Sequence, residues 1–212
     1  MPSSPVEQDN KVCIPNVALL YSRCCICSAP YEDYLKSMKV ILDAETISSV
    51  LASLADQVLL DTYNSASLAV VGIRSRGEVL AERLTHLLAD RVQERIPCGT
   101  LDITLYRDDL NSPRGNGQPR VRTTEIDFNV DDKTVILVDD VLFTGRSIRA
   151  ALDALIDLGR PRAIRLAVLV ERSGRELPIQ PDYTCVHTDV GPNQRVRVSL
   201  VESDGRDEVI VE

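Results

Sequence analysis

Three stretches of this chain, Leu68-Ala69-Val70-Val71-Gly72-Ile73, Val135-Ile136-Leu137-Val138 and Leu166-Ala167-Val168-Leu169-Val170, contain no polar side chain at all. A strand with one wet face alternates apolar and polar residues. Unbroken apolar runs of this length therefore predict strands covered on both faces. Helical spacing fills the intervals. Asp43 is a suitable N-cap for a helix with Ile47, Val50, Leu51, Leu54 and Val58 on one face. A second helix, from about residue 78, turns Leu80, Leu84, Leu87, Leu88 and Val92 inward. A third carries Ile148, Leu152, Leu155 and Ile156 and stops at Gly159. Buried strands alternating with helices imply an α/β fold, with a central, mostly parallel sheet flanked by helices on both faces.

The remaining segments are less regular. Leu101, Ile103 and Leu105 alternate with polar neighbours, as in a half-buried strand. Residues 107–119 are polar, contain Pro113, Gly115, Gly117 and Pro119, and read as a long mobile loop. Residues 122–129 are expected to form a strand pairing back across it, and Val196, Val198 and Leu200 alternate near the C-terminus. Residues 1–37 show no sustained periodicity and contain Pro2, Pro5, Pro15 and Pro30. They read as an irregular extension, disordered or the product of a misassigned start, ahead of one domain over residues 38–212, with Met38 as a candidate true start.

Composition excludes several roles. A net charge of −8, 4% aromatic residues and no Trp disfavour a stacking platform for single-stranded nucleic acid. No run of 18 apolar residues exists to span a membrane, and residues 13–26 make a poor signal peptide, so a cytoplasmic protein is expected. The six cysteines, at 13, 24, 25, 27, 98 and 185, lack zinc-site spacing, and His86 and His187 are the only histidines. Free thiols are the expected state.

The chemistry concentrates after the second buried run, in Asp139-Asp140-Val141-Leu142-Phe143-Thr144-Gly145-Arg146-Ser147. A strand delivers two carboxylates to the sheet edge where α/β proteins bind ligands. A short turn then opens a helix whose free N–H groups, hydroxyls and dipole suit a phosphate. The acids themselves should face hydroxyls or a hydrated cation. A second turn, Arg74-Ser75-Arg76-Gly77, also follows a buried strand and opens a helix, and its arginines suit a pyrophosphate. Arg107-Asp108-Asp109 feeds the polar loop and reads as a lid. There is no Gly-x-x-x-x-Gly-Lys-Ser/Thr motif, and no Ser-His-Asp or Cys-His arrangement is apparent.

The segment 135–147 resembles the signature of type I phosphoribosyltransferases. With the 72–77 and 101–110 segments, Gly159-Arg160-Pro161-Arg162 and Arg175-Glu176-Leu177-Pro178-Ile179, it resembles one family, the pyrimidine operon attenuation proteins with uracil phosphoribosyltransferase activity. The likeness covers roughly residues 38–212. It implies a type I phosphoribosyltransferase fold with a small hood over the sheet edge, and transfer of the phosphoribosyl group of 5-phosphoribosyl-1-pyrophosphate (PRPP) to a nucleobase, uracil foremost. It implies that Asp139 and Asp140 hold the ribose and, through water, a Mg2+ ion. It places the 5-phosphate in the turn from Val141 to Ser147, the pyrophosphate on Arg74, Ser75, Arg76 and Gly77, and Arg107 over the leaving group. A non-proline cis peptide within residues 73–75 and a homodimer or higher homo-oligomer are also implied. The chain departs from the family in three places. Gly174 and Gln180 replace a histidine and an arginine associated with RNA contact, and Cys185-Val186-His187-Thr188-Asp189-Val190 replaces the stretch beside the base pocket. The first helix has Ser53 and Asp56 where the family carries basic residues, and residues 40–73 contain no Lys or Arg. Base transfer is thus expected to outweigh RNA binding. An RNA-binding attenuator with little catalysis, or an enzyme for another base, are the alternatives.

Overall fold

The computed structural model describes residues 38–62, 67–108, 123–191 and 193–212. The extension before residue 38, with its four cysteines, lies outside them, as do Asp109, most of the polar loop and the start of the 122–129 segment.

Five parallel strands form the main sheet: β2 (Leu68–Ile73), β3 (Cys98–Leu101), β4 (Thr134–Leu142), β5 (Ala163–Arg172) and β6 (Tyr183–Thr188), in the order β3-β2-β4-β5-β6. The apolar runs divide residue by residue between two cores. Val70, Ile136, Val138, Ala167 and Leu169 face α1 (Ala44–Asp61) and α2 (Arg76–Val92); Val71, Val135, Leu137, Leu166 and Val168 face α3 (Arg146–Leu158). Continuous hydrophobicity is what a strand between two helical layers requires. A smaller antiparallel sheet, β1 (Lys39–Asp43), β8 (Glu208–Val211) and β7 (Val196–Ser199), forms the hood, and a short helix α4 (Val201–Asp204) links β7 to β8. Val198, Leu200 and Val209 join the core that contains α1 and α2.

Asp43 caps α1 as expected, its Oδ1 accepting from the Thr46 amide at 2.9 Å. Three expectations need correction. The strand through Leu101 does not continue to Leu105: Asp102 Oδ1 accepts from the amide and hydroxyl of Thr104, winding residues Thr104–Tyr106 into a 3-10 turn that leaves Leu105 70% exposed. In place of a strand over 122–129, the described part makes a single antiparallel bridge, Glu125 with Thr100. Side chains capture the backbone on either side of it, Thr124 Oγ1 accepting from the Asp102 amide and Asn129 Oδ1 from the Asp131 amide. Ile156 points outward, 61% exposed, because the apolar stripe of α3 passes through Ala150, Ala151, Ala154 and Leu155 instead.

The strand order sets the site. From β2 the chain steps to β3 on one side and then crosses to β4 on the other, so a topological switch point lies between β2 and β4. Their carboxyl ends part there, leaving a crevice.

Candidate active site

The crevice is a cavity of about 230 Å³ lined by Arg74, Ser75, Arg76, Arg107, Asp139 and Asp140, among others. Two smaller hollows adjoin it. One, about 150 Å³, lies between Arg107 and Ser147, and the other, about 120 Å³, follows the turn from Val141 to Ile148.

On the β4 side, Asp139 is buried, with 7% of its surface exposed, and Asp140 is half-buried. Asp139 Oδ1 accepts from the Asp140 amide at 3.0 Å, and Asp140 Oδ1 accepts from the Val141 amide at 2.8 Å. Burial pushes the Asp139 carboxyl well above the usual aspartate value, and the neighbouring Asp140 charge adds to the shift. Asp140 is raised for the same first reason, opposed by the Val141 amide and by the nearby Arg76 guanidinium. Two acids crowded together under burial favour a cation or a set of hydroxyl donors between them and the cavity.

The turn beyond the pair is an open anion site. Gly145, at φ +93°, precedes α3 and has no side chain to cap that helix, while Thr144 Oγ1 accepts from the Arg146 amide at 3.3 Å. The guanidinium of Arg146 is turned away, bonded to Glu176 at 2.8 Å and Asp108 at 2.7 Å, so this residue offers the turn its backbone rather than its charge. The turn is braced from behind. The amides of Glu176 and Leu177 both donate to the Thr144 carbonyl at 3.1 Å, and the Arg175 guanidinium donates to the Phe143 carbonyl while pairing with Glu171 at 2.7 Å. Arg172 lies over the Phe143 ring, 3.9 Å from its centre.

On the β2 side, the Arg74–Ser75 peptide is cis and α2 starts without a side-chain cap, so its first amides are open to the cavity. The connection is pressed against β4: a Cβ at Gly77 would come within 2.6 Å of the Val138 carbonyl oxygen. Arg74 pairs with Glu125 at 2.8 Å and Glu78 at 3.3 Å, while its buried Nε has no partner among the described residues. Arg76 forks onto Asp204 of the hood, Nε to Oδ2 at 3.2 Å and Nη2 to Oδ1 at 3.0 Å.

Segments separated by some seventy residues of sequence thus meet around one cavity. The braces from Glu125 and Asp204 leave no mark in the sequence, where each is one charge among many. Arg175 is marked there by the family motif around it.

The chain matches the Phosphoribosyl transferase domain over residues 37–200. It is 50% identical over 173 residues to the Bifunctional protein PyrR of Chloroflexus aurantiacus, covering 82% of this chain and 94% of the relative. The chain belongs to the PyrR family. The same named protein of Deinococcus radiodurans is 47% identical over 167 residues, covering 79% of this chain and 90% of the relative. Among solved structures, the hypoxanthine phosphoribosyltransferase of Trypanosoma cruzi superposes with a TM-score of 0.63 at 16% identity, covering 82% of this chain and 92% of that one. A hypoxanthine-guanine enzyme of Bacillus anthracis gives 0.61 at 17%, covering 82% and 96%. These likenesses show the type I phosphoribosyltransferase fold that PyrR proteins share with purine enzymes. Among the described residues no helix is long and apolar enough to cross a membrane, and the Cys98 and Cys185 thiols are free.

Proposed function

We propose that this PyrR-family chain transfers the phosphoribosyl group of PRPP to uracil, forming uridine monophosphate and pyrophosphate. The observation that carries this reading is the buried Asp139–Asp140 pair facing one cavity with an arginine turn on one side and an uncapped helix start on the other. Vicinal hydroxyls at the acids, a phosphate at the β4–α3 turn and a pyrophosphate at the β2–α2 turn together make PRPP.

In the reaction, the bond from C1 to the pyrophosphate oxygen breaks, a bond from C1 to uracil N1 forms, and the N1 proton leaves. Positive charge grows on the sugar, and the Asp139 and Asp140 carboxylates lie on its side of the cavity. Negative charge departs with pyrophosphate towards Arg74, Arg76 and Arg107. The Nε of Arg74, which has no partner among the described residues, is a donor on that side. A divalent cation fits the acid pair. No group of three or more His, Cys, Asp or Glu able to hold a metal occurs among the described residues. Two carboxylates completed by water and substrate oxygens are the way Mg2+ is ordinarily bound. Asp139 and Asp140 would hold it, and when bound it supplies charge to the departing pyrophosphate. The family resemblance supports a homodimer or larger assembly, which sedimentation would establish. Pyrophosphate release measured across a panel of bases tests the whole reading: uracil should be used preferentially, and no release with any base would overturn it.

The relatives are named bifunctional, which supports a regulatory activity beside transfer. In this chain Arg175, one of the basic residues that remain in the family's RNA-contact motif, is turned inward to Phe143 and Glu171, and Asp56 of α1 is paired with Arg91 at 2.5 Å. We infer that transfer is the principal activity and that RNA binding is weak. Filter binding at physiological salt should show no preference for a pyrimidine-operon hairpin over an unrelated one. A submicromolar affinity for the first alone, strengthened by uridine monophosphate, would restore the attenuator role.

A further inference from the structure

The helix α2 carries two arginines two turns apart, and the hood grips both. Arg83 is forked onto Glu202 at 2.6–2.8 Å and onto Asp207 at 2.8 Å, well along the helix from the cavity. Arg76, at the first turn, lines the cavity and is forked onto Asp204. Asp204 is itself fixed, since its Oδ2 also accepts from the Leu200 amide at 3.1 Å. The two grips have the same chemistry but different surroundings. The first joins hood to helix; the second ends at the substrate cavity.

The geometry of a guanidinium gives the second grip its consequence. Arg76 spends its Nε hydrogen and one Nη2 hydrogen on Asp204, leaving both Nη1 hydrogens and the other Nη2 hydrogen for another acceptor. An arginine already held along one edge loses little rotamer freedom when an anion meets the other. We infer that Asp204 is a positioning residue for PRPP, holding the Arg76 fork where the pyrophosphate group docks. This deepens the proposed transfer reaction and rests on it. Hood and pyrophosphate turn are thereby one unit, with the last residue of α4 setting an arginine 128 positions earlier in the chain.

Binding of magnesium pyrophosphate to the full chain, by calorimetry, tests this beside steady-state kinetics. Asp204→Asn keeps an oxygen for the Leu200 amide but removes the charge that holds Arg76. It should weaken pyrophosphate binding and raise KM for PRPP about tenfold, with KM for uracil unchanged. Glu202→Gln, which loosens only the Arg83 grip, should leave both constants at wild-type values. Were Asp204→Asn to bind pyrophosphate as well as or better than wild type while Arg76→Ala binds poorly, the positioning role would fall and the transfer reading would stand. Were Arg76→Ala also to bind like wild type, the assignment of the pyrophosphate to this turn would fall with it. A parallel rise in both KM values, with a lowered Tm, would mark Asp204 as merely structural.

Discussion

At the end of β2, Arg74 meets Glu125 and Glu78, and Arg76 meets Asp204. At the end of β4, Asp139 and Asp140 meet each other and backbone amides, and the Arg76 guanidinium is the charge that draws on Asp140 from across the cavity. The two turns look alike as strand–turn–helix units. The arginines are presented with their counter-charges, ordered and partly neutralised, so that an anion can share them. The acids crowd each other, and Arg76, the cation near Asp140, is already shared with Asp204, so that ionising both favours a supplied cation. Their burial makes that demand severe, whereas the arginine pairs are part-exposed and contribute modestly to stability.

Replacing both acids, Asp139→Asn with Asp140→Asn, should give the largest effect. Turnover should fall on the order of a thousandfold, since groups placed against developing charge carry that weight. The fold should survive. An acid whose folded-state pKa is raised binds its proton more tightly folded than unfolded, so stability falls as pH rises above the usual aspartate value near 3.8 towards the raised one. The metal-free amide variant should therefore melt higher than wild type at pH 8, the gap closing towards pH 4. Wild-type turnover, or a lower Tm at pH 8, would break the contrast between the two turns.

Gly77→Ala addresses the other turn. The added Cβ cannot fit within 2.6 Å of the Val138 oxygen, so the start of α2 must shift away from β4. A loss of about 1–3 kcal/mol is expected, lowering Tm by several degrees, together with a raised KM for PRPP. An unchanged melting curve would show that the turn yields easily. The smallest effect is expected at the brace. Arg175→Gln removes the cation that holds the Phe143 carbonyl, and KM for PRPP should rise about fivefold with kcat nearly preserved. A change in RNA affinity with no change in KM would assign Arg175 to another surface.

The elements that carried their own instructions were legible in the sequence. β2, β4 and β5 announce double burial, Asp43 announces a helix start, and the acid pair with its Thr-Gly-Arg-Ser turn is contiguous. What was misread depended on a competitor within a few residues or on a partner far away. Asp102 took the Thr104 amide and ended a strand whose alternation was otherwise sound. Ile156 fits the helical spacing, yet the small residues Ala150, Ala151 and Ala154 are the ones that let α3 approach the sheet. The guanidinium of Arg146 pairs with Glu176 and Asp108, and neither pairing leaves a local trace in the sequence.

The pairing of β1 with β8 bears on how the protein is made. Lys39 lies opposite Val211 and Asp43 opposite Glu208, so the first strand of the hood waits until residues 208–211 have left the ribosome. Domains generally fold from the N-terminal side as they are synthesised. Here the five-stranded sheet can gather its strands beforehand, while the hood and the Asp204 grip on Arg76 close only after residues 196–211 have followed. A nascent chain stalled before residue 204 would display both phosphate turns and still lack the residue that holds one of their arginines in place.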